Sequence, residues 1–178
     1  MKPSCVYKER PRVITIHGFN IWDDGLDTID RLNPHIRNKG YKLLQYEYGW
    51  RGLIGVRLFN GRDADKLIEI CGEKDTIISH SNGCAITARA IEDGLCVAKV
   101  IFIHPALDKN WKAPDSFKGE IVVYHSPKDK VTWLSKFLLL HRWGEMGTVG
   151  SKYYKSINDG YRHSEGFIRN PKLYTENL

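Results

Sequence analysis

The most informative segment of the sequence is Asp75-Thr76-Ile77-Ile78-Ser79-His80-Ser81-Asn82-Gly83-Cys84-Ala85-Ile86-Thr87. Its first part, 76–78, is a short apolar run that favours a buried strand. A second segment, 84–90, favours a helix that ends near Gly94 in a left-handed conformation. Ser81 therefore falls on the turn between a strand and a helix.

A serine on such a turn suits nucleophilic catalysis. Its hydroxyl is a poor nucleophile, so it needs an adjacent base and a backbone that exposes its oxygen. A sharp turn requires small residues two positions before and after the serine, where Ser79 and Gly83 stand. The helix that follows points its amide groups at the place where negative charge develops during acyl transfer. The alternative is that serine and glycine merely punctuate a turn.

Strand and helix patterns alternate along the rest of the chain. Helical spacing covers 64–71 and also 26–36, which Pro34 divides. A glycine-rich stretch, 49–61, is typical of a connector. Besides the strand before Ser81, the predicted strands are 12–17, 41–48, 97–103, 120–124 and 153–157. This alternation predicts an α/β fold with a mostly parallel, doubly wound sheet whose ligand site lies beyond the carboxyl ends of the strands.

Length and composition favour one domain without a membrane segment. At 178 residues the chain fits a single domain, 1–178, with a core at about 12–168 and loosely held termini. No apolar segment has the length of a transmembrane helix, and the N-terminus lacks the apolar region of a signal peptide. The four cysteines lack metal or redox spacing, which favours reduced thiols in a cytoplasm. The net charge of +6 is spread along the chain, so we expect no nucleic-acid partner.

The S-x-S-x-G run resembles the G-x-S-x-G nucleophile elbow of α/β-hydrolases, with Ser79 in place of the first glycine. The residues His17-Gly18-Phe19 resemble the H-G-x loop that follows an early central strand in the same family. This resemblance implies an α/β-hydrolase fold and an oxyanion hole formed by the backbone N–H groups of Phe19 and Asn82. A strand that ends at His-Gly is also compatible with ordinary turn chemistry.

The resemblance also implies a catalytic triad in the order serine, aspartate, histidine. Beyond Ser81, the histidines that satisfy this order are His141, within an apolar segment, and His163, in a polar loop after the last predicted strand. We expect His163 to be the base. Asp129, on the turn after the strand at 120–124, is the expected acid, and Asp108 is the alternative. His80, beside the serine, is expected to be a packing residue.

Two further expectations concern the substrate pocket. Hydrolases of this kind often carry a large cap in the interval that 107–119 occupies here, and its shortness predicts a minimal fold without a large cap domain. The segment 131–143 is too apolar for a freely solvated helix, so we expect it to pack on the sheet. Trp133 and Phe137 within it are candidates for lining the acyl pocket.

The resemblance and the order of these residues predict a cytoplasmic serine hydrolase of the esterase or lipase type, which cleaves carboxylic esters of a small-molecule or acylated substrate. No metal or cofactor is required, and the histidines lack ligand spacing such as H-E-x-x-H. The alternatives are a thioesterase, amidase or peptidase that uses the same triad, and a binding module in which the triad fails to assemble. The sequence does not decide the acyl-chain preference or the oligomeric state.

Overall fold

A parallel sheet forms the centre of the structure, a computed structural model that describes residues 11–18, 27–49, 53–131 and 144–178, with the side chains of 53–59 excepted. Within these residues the strands are β1 Arg12–Ile16, β2 Lys42–Tyr46, β3 Thr76–His80, β4 Lys99–Ile103, β5 Glu120–His125 and β6 Lys155–Asn158. Their order is β2-β1-β3-β4-β5-β6, and every neighbouring pair is parallel. The predicted mostly parallel sheet is confirmed.

Both faces of the sheet are buried at its central strands, which explains the continuous apolar runs of β4 and β5. Along β4, Val100 and Phe102 belong to the core on one face. Ile101 and Ile103 belong to the core on the opposite face. Because successive side chains of a strand point to opposite faces, a strand covered on both sides needs apolar residues at consecutive positions.

Helices cover the two faces. On one face lie α2, Leu53–Ile70, and α3, Asn82–Glu92. The other face carries a 3₁₀ helix, Ile29–Leu32, followed by α1, Asn33–Asn38, and α5, Glu165–Arg169. The remaining helical turns are α4, Met146–Val149, and a second 3₁₀ helix, Pro171–Thr175. The architecture is therefore three layers, with the sheet in the middle.

The connector predicted at 49–61 is wrong from Leu53 onward, because α2 already begins there. Gly55 and Gly61 produced this error, since glycine is typical of turns. A glycine inside a helix costs only about 1 kcal/mol relative to alanine. The packing of α2 against α3 offsets that cost.

The C-terminal segment is also held more firmly than the sequence predicts. Tyr174 is almost fully buried, and its ring packs against Tyr124 and Phe167 with centroid distances of 5.0 and 5.1 Å. The Lys99 ammonium donates a hydrogen bond to the carbonyl of Asn177 at 2.6 Å. Aromatic burial and these contacts explain why the expectation of a loose C-terminus fails.

The region between β4 and β5 contains turns and no helix among residues 104–119, as expected of a fold without a large cap at this place. All residues of the predicted apolar segment 131–143 after Val131 lie outside the described part of the chain. These include Trp133, Phe137 and His141. Among the described helices, none combines the length and apolar character needed to cross a membrane.

Candidate active site

The turn at Ser81 has a strained backbone. Ser81 lies between β3 and α3 with φ 52° and ψ −117°, a region that residues with side chains seldom adopt. Such a conformation costs about 1–3 kcal/mol and persists only where the surroundings enforce it. Backbone hydrogen bonds hold the turn, from Ser81 N–H to the Ile103 carbonyl and from Cys84 N–H to the Ser81 carbonyl. The predicted strand–turn–helix elbow is therefore present.

Gly83 allows α3 to approach the end of β1 closely. A Cβ atom at this position would lie 2.5 Å from the carbonyl oxygen of His17 and 2.8 Å from that of Ile16. The small residue two positions after the serine is thus required by backbone contact. A Cβ on Gly18 would lie 3.1 Å from the Cβ of Ser81, so the His-Gly loop borders the elbow.

The carbonyl of Gly18 is fixed by two donors. Nδ1 of His17 donates to it at 2.8 Å, and the Tyr48 hydroxyl donates to it at 2.5 Å. The rings of His17 and Tyr48 are stacked, with centroids 4.3 Å apart. Phe19, the predicted oxyanion donor of this loop, lies outside the described residues.

Asn82 is the first residue of α3. Its backbone N–H therefore belongs to the helix N-terminal groups that have no partner within the helix. The side chain is fully buried, and its Oδ1 accepts a hydrogen bond from Nδ2 of Asn60 at 3.3 Å. Asn82 thus follows the serine directly and carries its backbone N–H at the N-terminus of α3.

The structure brings His163 and Asp129 together. Nδ1 of His163 donates a hydrogen bond to Oδ2 of Asp129 at 2.9 Å. Asp129 is fully buried, whereas the His163 side chain keeps 16% of its surface exposed. Burial alone would raise the pKa of the Asp129 carboxyl, but hydrogen bonds from His104 and His163 outweigh it and hold that pKa well below its usual range. Asp129 is therefore an ionised carboxylate aimed at the imidazole.

The loop that carries Asp129 is held on several sides. The Val131 N–H donates to Oδ1 of Asp129 at 3.0 Å. The Thr148 hydroxyl, on α4, donates to its backbone carbonyl at 3.0 Å. Its own N–H donates to the Ser126 carbonyl at 2.9 Å. These contacts orient the carboxylate before any substrate arrives.

A hydrogen bond and a ring contact connect His163 to His80, the residue before Ser81. Nε2 of His80 donates to the carbonyl of His163 at 3.0 Å, and the two rings have centroids 4.7 Å apart. The His80 ring also packs edge-on against Phe167. Burial, followed by the positive charges of His163 and His104, lowers the pKa of His80 well below its ordinary value. His80 is a neutral packing residue that also positions the loop of His163.

Sequence reasoning missed His104, which lies at the end of β4 with φ 46°. Its Nδ1 donates to Oδ2 of Asp129 at 3.0 Å and its Nε2 to Oδ2 of Asp159 at 2.9 Å. Burial would lower the pKa of His104, yet the two carboxylates raise it to about 9. The available signal was a polar residue at the carboxyl end of a buried strand.

Asp108, the alternative acid, does not approach His163 in this way. Its Oδ1 accepts hydrogen bonds from the backbone N–H and the side-chain Nδ2 of Asn110, at 2.7 and 3.0 Å, on an exposed turn. This is the local cap of an Asx turn. Of the two candidate carboxylates, Asp129 is the one that the structure places on the imidazole.

Within the described part of the chain, three of these residues form a group that could hold a metal ion. One ligand atom from each of His104, Asp129 and His163 lies within 4.8 Å of the others. Metal binding needs the lone pair of a neutral imidazole nitrogen. Both Nδ1 atoms instead donate to Oδ2 of Asp129, and Nε2 of His104 donates to Asp159. Of these four ring nitrogens, only Nε2 of His163 keeps its lone pair. The arrangement suits proton transfer better than metal binding.

The α/β-hydrolase fold combines a parallel sheet with a strained serine turn after a central strand. An aspartate and a histidine follow later strands, as they do here. Solved structures share this fold. A proposed alpha/beta-superfamily hydrolase from Xanthomonas campestris pv. campestris superposes with a TM-score of 0.62 at 15% identity, covering 95% of this chain and 98% of that one. An esterase from Pyrococcus furiosus gives 0.60 at 12% identity, with coverages of 96% and 79%.

A proposed thioesterase from a Silicibacter species superposes with a TM-score of 0.64 at 11% identity, covering 94% of this chain and 76% of that one. No protein-family model matches the sequence, and no curated protein does. The resemblance to α/β-hydrolases is confirmed at the level of the fold.

Proposed function

We propose that this protein is a serine hydrolase that cleaves carboxylic esters by acyl transfer through Ser81, His163 and Asp129. The observation that carries the proposal is the hydrogen bond from His163 to the buried Asp129, made by a histidine whose loop is bonded to the residue before Ser81. The strained backbone at Ser81 supports it, since such strain is concentrated at functional positions.

In the proposed mechanism, Nε2 of His163 takes the proton of the Ser81 hydroxyl as its oxygen attacks the ester carbonyl. Asp129 holds the imidazole in the tautomer with a proton on Nδ1 and stabilises the imidazolium that forms. The imidazolium then protonates the leaving alcohol. A water molecule, deprotonated by the same histidine, releases the acyl group and restores the serine.

The oxyanion would be stabilised by the N–H groups of Asn82 and Phe19. Asn82 supports this role by its place at the N-terminus of α3. The Gly18 carbonyl belongs to the peptide unit that carries the N–H of Phe19, and His17 and Tyr48 both donate to that carbonyl. Trp133 and Phe137 remain the candidates for the acyl pocket.

The test is a series of p-nitrophenyl esters of increasing acyl length. We expect wild-type activity on the shorter esters, because a site without a large cap is open and shallow. Ser81→Ala is expected to lose about 10⁴-fold or more in kcat, as the removal of a triad nucleophile does. Ser79→Ala is the matched control, since it removes the hydroxyl of a nearby serine that is buried within β3. This variant is expected to retain activity within a few-fold.

Equal activity of Ser81→Ala and wild type would contradict the proposal. Matched ester, thioester and amide substrates distinguish the enzymes that could use the same triad. The substrate with the highest kcat/KM indicates whether the protein is an esterase, a thioesterase, or an amidase or peptidase. A folded wild type that turns over none of them and is inert to serine-directed inhibitors would instead be a binding module. The thioesterase alternative is kept because the Silicibacter neighbour carries that description.

We also propose that the protein works in a reducing compartment, the cytoplasm. Cys71, Cys84 and Cys96 are free thiols, of which Cys96 is exposed. Burial raises the pKa of the Cys84 thiol to about 12, so this cysteine is protonated and unreactive at neutral pH. Thiol titration of freshly purified protein under denaturing conditions would find these cysteines reduced if the proposal is right and oxidised if it is wrong.

A further inference from the structure

His104 joins two buried carboxylates. It donates from Nδ1 to Asp129 and from Nε2 to Asp159, and all three side chains are fully buried. An imidazole that donates from both nitrogens carries a positive charge. The positive charge of a buried, doubly protonated histidine must be balanced by nearby negative charge, which the two carboxylates supply.

The charges of this group match the needs of the triad. With His163 neutral, Asp129 and Asp159 are negative and His104 is positive, so the buried group carries one net negative charge. When His163 takes the serine proton, that charge is balanced. Without the charge on His104, the two buried carboxylates would give the group two net negative charges, which would hold the proton of His163 too strongly for later transfer to the leaving group.

The same group reaches the C-terminal segment. The hydroxyl of Tyr174 donates to Oδ2 of Asp159 at 2.7 Å, and the backbone N–H of Tyr161 donates to its Oδ1 at 3.0 Å. A continuous chain of hydrogen bonds therefore runs from Tyr174 through Asp159, His104 and Asp129 to His163. Hydrogen-bonded networks of this kind orient their members more strictly than isolated pairs do.

We propose that His104 is a positioning residue of the active site, a buried cation that fixes the Asp129 carboxylate on His163 and links it through Asp159 to Tyr174. The inference rests on the proposed function, because it assigns a role in the same triad. It goes beyond that function, since the serine, histidine and aspartate chemistry does not itself require a second histidine on the acid.

Within the described part of the chain, titratable groups from several elements lie around His104. Asp129 follows β5, Asp159 follows β6, and the His163 ring lies edge-on with its centroid at 5.9 Å. His80, at the end of β3, contributes no charge because its pKa is lowered. Removing the charge of His104 should therefore leave an excess of negative charge near His163 and move the acid limb of the kcat/KM profile to higher pH.

The matched variants are His104→Asn and His104→Gln. The asparagine amide takes the place of Nδ1 and retains a donor for Asp129, and asparagine tolerates the positive φ of this position. The glutamine amide takes the place of Nε2 and retains a donor for Asp159. Both variants lose the charge, so both should shift the acid limb of the kcat/KM profile on a p-nitrophenyl ester up by about one pH unit.

The two variants should differ in kcat. His104→Gln leaves Asp129 without one of its donors, so its kcat should fall about tenfold further than that of His104→Asn, as losses of supporting hydrogen bonds do. If both variants keep the wild-type acid limb and the wild-type kcat, His104 only fills space and the inference is overturned.

A measurement without substrate separates this inference from the proposed function. In protein labelled with ¹⁵N at the histidine rings, both ring nitrogens of His104 should have imidazolium shifts at pH 7, assigned by their loss in His104→Asn. His80 should instead contain one unprotonated nitrogen. A neutral His104 would overturn the inference even if the protein is an active esterase. An imidazolium at His104 in an inactive protein would contradict the proposed triad and leave the charge of His104 established.

Two matched variants test the hydrogen bond that connects the C-terminal segment to Asp159. Tyr174→Phe removes the hydroxyl that donates to Asp159. Tyr124→Phe removes a buried hydroxyl of the same aromatic cluster, which donates to the Leu173 carbonyl instead. Tyr174→Phe should shift the ring ¹⁵N signals of His104 and Tyr124→Phe should leave them in place. Equal spectra of the two variants would contradict the link.

Discussion

At the scale of the residue, two side chains of the proposed site sit on strained backbone. Among the described residues other than glycine, Ser81 and His104 alone have positive φ angles, 52° and 46°. Each follows the end of a central strand, β3 or β4. The surrounding hydrogen bonds maintain these conformations, and strain of this kind is stored where a side chain must point in a set direction.

The strain at Ser81 predicts a difference in stability between two substitutions at this position. Ser81→Gly removes the Cβ that makes this backbone conformation unfavourable, whereas Ser81→Ala retains it. We expect Ser81→Gly to be more stable than Ser81→Ala by about 1 kcal/mol in urea unfolding, although both lack the hydroxyl and should be inactive. Equal stability of the two variants would mean that the turn is unstrained.

The raised pKa of His104 predicts how stability depends on pH. A group whose pKa rises on folding, here from 6.5 to about 9, stabilises the protein fully below its unfolded-state value and ceases to do so above the folded one. Between these pH values, the free energy of unfolding of the wild type should fall by up to about 3 kcal/mol relative to that of His104→Asn. Parallel curves for the two proteins would show that His104 is not charged in the folded state.

At the scale of the element, the site depends on how closely α3 packs on the end of β1. The strand order places β1 directly beside β3, so the loop after β1 and the elbow after β3 emerge next to each other. Gly83 is the point of contact, because the His17 carbonyl occupies the space of a side chain. Gly83 therefore sets how closely the start of α3 approaches the end of β1.

Gly83→Ala should separate these two elements. Its new methyl group would overlap backbone carbonyls, which cannot move as a flexible side chain can, so we expect a loss of about 3 kcal/mol in stability together with lower kcat. Gly61→Ala is the control, since a Cβ there meets nothing within 4 Å. That substitution, inside α2, should raise stability by about 0.5–1 kcal/mol. Similar thermal unfolding of the two variants would refute the close contact.

The strands and the elbow were predictable because each depends on local pattern. Buried parallel strands need consecutive apolar residues, and a serine with small neighbours at a strand end implies a tight turn. Local pattern failed for α2, where Gly55 and Gly61 resemble a connector but tertiary packing stabilises a helix. It also failed for His104, whose partners Asp129 and Asp159 come from strands that are distant in sequence and adjacent only in the sheet.

At the scale of the whole molecule, the C-terminal segment completes one face of the protein. The second 3₁₀ helix places Tyr174 in the same core as Val13 and Ile101. The Tyr174 hydroxyl bonds Asp159, so the segment connects the hydrophobic core with the polar groups behind the triad. The chain therefore closes over the face opposite α2 and α3.

This closure predicts that removing the Tyr174 side chain affects both stability and activity. Tyr174→Ala should cost about 3–5 kcal/mol in stability, because it leaves a cavity beside Tyr124 and Phe167. Its kcat should also fall, since Asp159 loses a donor. Retention of wild-type stability in chemical unfolding would indicate that the segment is not part of the core.

Covalent labelling by a fluorophosphonate, located by peptide mass spectrometry, tests whether Ser81 is the nucleophile. We expect one phosphonyl adduct on Ser81, with none on Ser79 and with labelling slowed in His163→Gln, because the nucleophile is activated by that imidazole. An adduct on another residue, or unchanged labelling of Ser81 in His163→Gln, would contradict the claim that these two side chains form one catalytic unit.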